Sequence, residues 1–226
     1  MQKLIEKADI LIEALPYIQK FRNEIIVVKF GGSVMEDRSH MESVLADVAF
    51  MECVGMRTVV VHGGGKVITR EMKKAGIEAK FVKGLRVTCE KTIEVVRRVM
   101  NSEINPELVS ILQKMGTRAQ GVFGEDVFSV VRKVEDDAKT GETVDWGYVG
   151  EPHGVDTGPV RALLQDGIVP VITPLGRGPD GMIYNVNADT AAAALARALK
   201  ARKLAFLSDV PGLLLNAEDP DSVMST

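Results

Sequence analysis

The 226-residue chain is 46% hydrophobic and 26% charged, the balance of a soluble globular protein and not of a disordered or fibrous one. A formal net charge of −3 gives no basic surface with which to hold nucleic acid. The apolar runs are strand-sized, which excludes a membrane span. Glu6, Asp9 and Glu13 interrupt any signal-peptide core, and Cys53 and Cys89 sit in no metal-binding or redox spacing, so a cytoplasmic protein with reduced thiols is expected.

Along the chain, Leu4, Ala8, Leu11, Ile12, Leu15 and Ile18 recur at helical spacing and predict an amphipathic helix over 3–21, although Pro16 should kink it. The segment is not needed for a βα unit, so it can dock on its own domain or on another subunit. From residue 25 the pattern alternates. Strand 25–30 is followed by a helix near 38–54, and strand 57–62 by a helix near 65–75. Separate helices are predicted over 88–100 and 106–114, then β-rich stretches at 120–124 and 127–134. The Gly-, Asp- and Thr-rich stretch 136–152 reads as hairpin or loop, 159–166 as a short helix, 168–173 as a strand and 176–181 as a turn. Asn187 or Asp189 opens an Ala-rich helix to about 201, and Lys203–Leu207 reads as another buried strand, followed only by a loop-like tail. This rhythm predicts an α/β protein: a three-layer αβα sandwich around a mainly parallel sheet.

The most informative features are two β-branched runs that end in glycine clusters, Ile25–Ser33 and Thr58–Lys66. Each places bare backbone N–H groups near a helix N-terminus, where free donors and the helix dipole favour an anion. Neither cluster satisfies the Walker A or GxGxxG patterns, so a P-loop or a dinucleotide site is not expected. His62-Gly63-Gly64-Gly65 is similar to an esterase oxyanion loop, but no GxSxG elbow supplies a nucleophile.

Lys29 is the sharpest single residue, because a lysine at the end of a buried strand is costly unless it meets an anion or snorkels to solvent. Arg86, beside Gly84, suits a bidentate grip on a carboxylate, though a surface role is the plainer alternative. Asn185, Asn187 and Asp189 bring two amides and a carboxylate to the start of a helix, where Asp189 can equally be a simple cap. No pattern places His40, His62 or His153 in catalysis.

The set VVKFGGS, VHGGGK, GLRVT, NSEIN, GYVGEP, PVITPLGRGPDG, YNVNADTAA and LSDVPGLL, in this order, resembles the amino acid kinase superfamily and within it the acetylglutamate kinases. The pairing of GLRVT with NVNAD separates these from glutamate kinases, aspartokinases and uridylate kinases. The resemblance implies the amino acid kinase fold and a cytoplasmic enzyme of arginine biosynthesis, which phosphorylates the side-chain carboxylate of N-acetyl-L-glutamate with ATP. Mg²⁺ would be held mainly by the nucleotide phosphates, with no protein metal ligand. Lys29 would contact the transferring phosphoryl group and Asp189 would orient Lys29, these two forming the catalytic pair. Gly64, Gly65, Arg86 and Asn185 would bind the acyl substrate. Gly31 and Gly32 would line the β- and γ-phosphates, and Asp209, Val210, Pro211, Gly212, Leu213 and Leu214 would begin the nucleotide pocket.

The N-terminal KADILIEALPYIQKF resembles the extra helix of arginine-sensitive, hexameric members. A homo-oligomer is therefore implied, dimeric or hexameric through that helix, with L-arginine as feedback inhibitor. Lys66 departs from the residue usual after the triple glycine. Family members continue for several tens of residues beyond the point matching Thr226. The implied division is an N-terminal helix over 1–22, a substrate and phosphoryl-transfer lobe over 23–201, and the incomplete start of a nucleotide lobe over 202–226, which leaves the activity of the chain as written doubtful. Two alternatives follow: a substrate-binding or regulatory remnant without kinase activity, and a sibling kinase acting on another amino acid carboxylate.

Overall fold

In the computed structural model, residues 2–136, 141, 143–207, 212, 215, 216, 219 and 222–224 are described. The chain opens with α1 (Gln2–Phe21), which runs through Pro16 as one helix. A βα alternation follows: β1 (Ile25–Phe30), α2 (Arg38–Cys53), β2 (Arg57–His62), α3 (Gly65–Lys74) and the short hairpin β3 (Phe81–Val82) and β4 (Leu85–Arg86). Next come α4 (Glu90–Val99), α5 (Asn105–Lys114), β5 (Ala119–Val122), β6 (Phe128–Asp136), β7 (Thr143–Val155) and α6 (Gly158–Gln165). The last elements are β8 (Val169–Ile172), β9 (Leu175–Arg177), β10 (Ile183–Val186), α7 (Ala188–Leu199) and β11 (Lys203–Leu207).

Five strands form a parallel sheet in the order β11-β1-β2-β8-β5. Strand side chains alternate between its faces. Ile26, Val28 and Phe30 of β1 pack on one face with Met41 and Leu45 of α2, Ile68 and Met72 of α3 and the apolar stripes of α4 and α5. Val27 of β1, Val59 and Val61 of β2 and Ile172 of β8 pack on the other face with Val160 and Leu164 of α6 and with Ala191, Leu195 and Leu199 of α7. The expected three layers are therefore present, each burying one face of the sheet. A second, closed β-structure, in the order β10-β7-β6-β9, sits at one end of this sandwich. Among the described residues, no helix is long and apolar enough to cross a membrane.

Three readings of the chain are corrected and one left open is decided. The two helices predicted on either side of residue 101 are one continuous rod, because a π-helical turn over Met100–Ile104 joins α4 to α5 without a break. Of the two readings of 136–152, hairpin or loop, the hairpin is the one formed: most of the stretch is the long strand β7, paired antiparallel with β6 despite its glycine content. The supposed turn 176–181 begins inside β9, which pairs antiparallel with β10, so the turn proper is Gly178–Met182, pinned by the Asp180 carboxylate accepting the Met182 N–H at 3.0 Å. Finally, β11 is an edge strand rather than a buried one. Among the described residues it pairs with β1 on one side only, and Phe206 is 49% exposed. The expected lobe boundary at 201 thus falls just before a strand that belongs to the same sheet as β1.

His62 ends β2 with no solvent exposure. Its Nδ1 lies 2.9 Å from the Gly63 carbonyl oxygen and its Nε2 lies 3.2 Å from the Asn105 amide nitrogen. An amide NH₂ can only donate, so Nε2 is the bare nitrogen and Nδ1 carries the proton. Burial pushes the imidazole down to about 4, only partly opposed by its bond to Gly63. The folded protein therefore refuses a proton that the unfolded chain accepts near 6.5, so stability is complete above that value and falls as the pH drops towards 4. The loss should reach about 3 kcal/mol over that window. Urea midpoints at pH 7 and pH 4.5, for wild type and His62→Asn, check this: the wild type should lose more stability between the two, and equal losses would remove His62 as the source.

Candidate active site

Lys29 lies on the α7 face of β1, one residue before the strand ends. Its Nζ is 2.9 Å from Oδ1 of Asp189, and its side chain is only 15% exposed. Asp189 can make this bond because it is not the helix cap. Asn187 takes that role, its Oδ1 accepting the backbone N–H groups of Asp189 at 2.9 Å and Thr190 at 3.0 Å. The choice left open by the sequence is thereby decided: Asn187 caps α7, and the Asp189 carboxylate is released to pair with Lys29.

The two glycine clusters meet back to back. A Cβ built on Gly31 would come within 3.2 Å of the Gly63 Cα, and one on Gly63 equally close to the Gly31 Cα. The Gly63 N–H donates to the Phe30 carbonyl at 2.7 Å, which welds the ends of β1 and β2. Gly64 is crowded from the other side, since a Cβ there would lie 2.6 Å from Ile104 Cδ1 and 3.1 Å from the Met100 sulfur. Gly65 differs, because a Cβ there would meet no atom within 4 Å. Gly32 takes a φ of +59°, in the left-handed region that glycine enters freely.

Arg86 is 6% exposed, and its guanidinium is fastened at three points. Nη2 donates to the Gly65 carbonyl and to Thr69 Oγ1, each at 2.8 Å, and Nη1 lies 3.1 Å from Met72 Sδ. Phe81 covers the group, with its ring centroid 4.7 Å from the guanidinium carbon. Among the described residues Arg86 has no carboxylate partner, and its burial lowers the guanidinium pKa. The hairpin that carries it turns through Lys83 and Gly84, both at positive φ, and is tied down by Trp146 Nε1–H donating to the Val82 carbonyl at 2.9 Å.

These groups surround one cavity of about 200 Å³. Lys29, Gly64, Gly65, Arg86, Asn185 and Asp189 all line it, joined by Met100, Phe81, Pro174 and Asn187. The Asn185 side chain has no hydrogen-bond partner among the described residues. The N-termini of α3 and α7 both open onto this space, adding their positive ends to the two cations. A neighbouring hollow of about 320 Å³ contains Lys83, Lys133, Glu135 and Glu151, but its charges are already matched as Lys83–Glu135 and Lys133–Glu151 pairs. The smaller cavity is the one that holds a cation, Arg86, with no carboxylate partner among the described residues.

Gly31 lies behind Lys29, whose Nζ would be 3.8 Å from a Cβ there, and Gly32 is exposed at the loop's outer side. Asp209, Val210, Pro211, Leu213 and Leu214 lie outside the described residues, which include only Gly212 of that expected segment. The sequence reading passed over Thr69 and Met72, which hold Arg86, and Met100 and Ile104, which press on Gly64. Met72 and Met100 carry only helical apolar spacing, which core residues share, Ile104 lies within the NSEIN motif, and Thr69 carries no signal of its own.

The chain matches the amino acid kinase family over residues 24–224. It is 48% identical over 221 residues to the acetylglutamate kinase of Caldanaerobacter subterraneus subsp. tengcongensis, covering 98% of this chain and 72% of that protein. The acetylglutamate kinase of Heliobacterium modesticaldum is 43% identical, with coverage of 100% and 78%. Among solved structures, N-acetylglutamate synthase from Neisseria gonorrhoeae superposes with a TM-score of 0.78 at 23% identity, over 95% of this chain and 47% of that one, and a Giardia carbamate kinase gives 0.61 at 15% identity over 88% and 76%. These two likenesses concern the fold alone. The chain belongs to the amino acid kinase family and, within it, to the acetylglutamate kinases.

Proposed function

We propose that this protein transfers the γ-phosphoryl group of ATP to the side-chain carboxylate of N-acetyl-L-glutamate, forming an acyl phosphate for arginine biosynthesis. The observation that carries the reading is the buried Arg86 guanidinium, which lacks a carboxylate partner among the described residues and lines the same cavity as Lys29 and the bare glycine loop. A fastened guanidinium of this kind suits the main-chain carboxylate of an acylated amino acid, with Asn185 binding polar groups beside it. Gly65 needs no small side chain for the protein's own packing, so its bareness suits a ligand lying against the backbone.

The acceptor carboxylate is ionised at neutral pH and needs no general base. One of its oxygens attacks the γ-phosphorus, the bond from that phosphorus to the β,γ-bridging oxygen breaks, and ADP leaves with the electron pair. Catalysis then consists of alignment and charge neutralisation. Lys29 contacts the transferring group, held in place by Asp189, and the Gly64 and Gly65 amides face the acceptor. The phosphates lie along Gly31 and Gly32. β11 runs parallel to β1 with Leu207 beside Phe30, and we assign the nucleotide to Asp209–Leu214, which follow that strand in the sequence. The cationic donors fit phosphate oxygens, and Mg²⁺ carried on ATP would screen their remaining charge.

We also read α1 as a contact between copies of the chain. Ile10, Ile12, Leu15 and Tyr17 are 49–67% exposed on it, while Phe21 at its end packs on the core. A second copy supplying the same helix would bury that surface, and we place L-arginine as the inhibitor of the resulting oligomer.

The function is checked by incubating the protein with ATP, Mg²⁺ and acetylglutamate and trapping the acyl phosphate as a hydroxamate. Binding of acetylglutamate without hydroxamate would make it a binding protein, and a stronger signal with another acylated amino acid would make it a sibling kinase. Within the site, Lys29→Ala should lower kcat at least about a hundredfold with little change in substrate affinity. A kcat that barely moves would remove Lys29 from the mechanism. Arg86→Lys should raise KM for acetylglutamate far more than for ATP, because an ammonium cannot keep the bonds to Gly65 and Thr69 and still present a fixed donor to the substrate carboxylate. Equal effects on both substrates would make Arg86 structural.

A further inference from the structure

Asn105 follows the π-helical turn directly and points its amide into the core. It is 2% exposed, and its Nδ2 donates to the Val171 carbonyl of β8 at 2.8 Å while lying 3.2 Å from His62 Nε2. Its Oδ1 lies flat on Gly121, where a Cβ would come within 2.1 Å, so β5 leaves room for it. The ring it holds is the one whose Nδ1–H grips the Gly63 carbonyl. All peptide bonds here are trans, so the carbonyl of Gly63 and the N–H of Gly64 point in opposite directions across one rigid plane. Fixing the carbonyl towards the buried imidazole therefore aims the Gly64 N–H the other way, towards the cavity that Gly64 lines. That N–H has no acceptor among the described residues.

The same turn presses from the opposite side, through Ile104 and Met100 against the Cα of Gly64. A π turn inserts an extra residue into a helix and changes the angular position of the residues it carries. Here it lets one short segment supply both the wedge, from Met100 and Ile104, and the tether, from Asn105.

We propose that His62 and Asn105 are positioning residues, which hold the Gly63–Gly64 peptide in the one orientation that presents the Gly64 N–H to the reacting carboxylate. The proposal rests on the functional reading above for what the N–H meets, but the clamp itself is a statement about the free protein. Neither residue touches substrate. A glycine loop is intrinsically free to rotate its peptide planes, and an amide that must be reoriented during the reaction stabilises charge far less than one already fixed.

Two measurements test it. Imidazole nitrogen NMR on the wild-type protein should show His62 with Nδ1 protonated and Nε2 bare, unchanged between pH 8 and pH 5, and a protonated Nε2 would overturn the clamp. Kinetics then separate positioning from packing. The side-chain amide nitrogen of Asn can sit near the place of Nδ1, whereas that of Gln reaches the place of Nε2. His62→Gln should lower kcat about tenfold to a hundredfold with KM for ATP within about twofold, and His62→Asn should retain at least about tenfold more kcat than His62→Gln. Asn105→Leu should match His62→Gln, and the double variant should be no slower than either, since both act through one peptide. Equal losses in the two His62 variants, or losses that multiply in the double variant, would overturn the proposal. A wild type that forms no hydroxamate overturns the functional reading alone, since the ring assignment is made on the wild-type protein and needs no activity.

Discussion

The ends of β1 and β2 approach so closely that neither Gly31 nor Gly63 has room for a side chain against the other, and a 2.7 Å bond from the Gly63 N–H to the Phe30 carbonyl holds them there. In a parallel sheet, adjacent strands end on the same side, so the loops that leave them compete for the same space. Glycine removes that competition. Once the two loops touch, the rest of the site has its coordinates. Lys29 emerges beside Gly31 on the α7 face, α3 begins at Gly65 with its N-terminus open, and β11 ends with Leu207 next to Phe30. A Cβ at either glycine would separate the loops by a few tenths of an ångström, which is enough to misalign groups that act through contact distances.

What was legible in the sequence was what depends on near neighbours in the chain. The runs 25–30 and 57–62 are β-branched and end in glycine, so both strand and exit could be read from adjacent residues. Lys29 stood out because its immediate neighbours are apolar, and Asp189 because it opens a helix. The π turn could not be read, because Met100 and Ile104 fit an ordinary helical period and the extra residue costs the pattern only a phase shift. The choice between hairpin and loop over the stretch that becomes Thr143–Val155 was left open for a different reason. Its Gly, Asp and Thr residues favour turns locally, and only pairing with β6 supplies the energy to hold them extended.

The partners of the legible residues were hidden by distance along the chain. Arg86 was readable as a cation near a glycine, but not as a group fastened to Gly65, Thr69 and Met72, which arrive from another helix. His62 showed no catalytic spacing, and it touches nothing that reacts. Its importance lies in Asn105, 43 residues away, and in the peptide that follows it. Sequence spacing identifies groups that act, whereas groups that hold are found only when the fold brings the holder and the held together.

The electrostatic balance of the cavity follows from the same construction. Two cations, two helix N-termini and the unbonded Gly64 amide face it, against the single carboxylate of Asp189. Desolvating that much positive character is unfavourable by itself, and the protein bears it by pairing Lys29 with Asp189 and by fastening Arg86 to neutral acceptors. Arg86 keeps its charge but spends its hydrogen bonds on a carbonyl and a hydroxyl, acceptors that fix its plane without cancelling it. Asp189 pairs with Lys29 yet remains 55% exposed, so it orients the ammonium without burying it. A site left positive in this way gains most from a ligand bearing several negative oxygens, and gains more as negative charge gathers between donor and acceptor. The arrangement is costly to the free protein and favourable to the loaded one, which is the bias that phosphoryl transfer to a carboxylate requires.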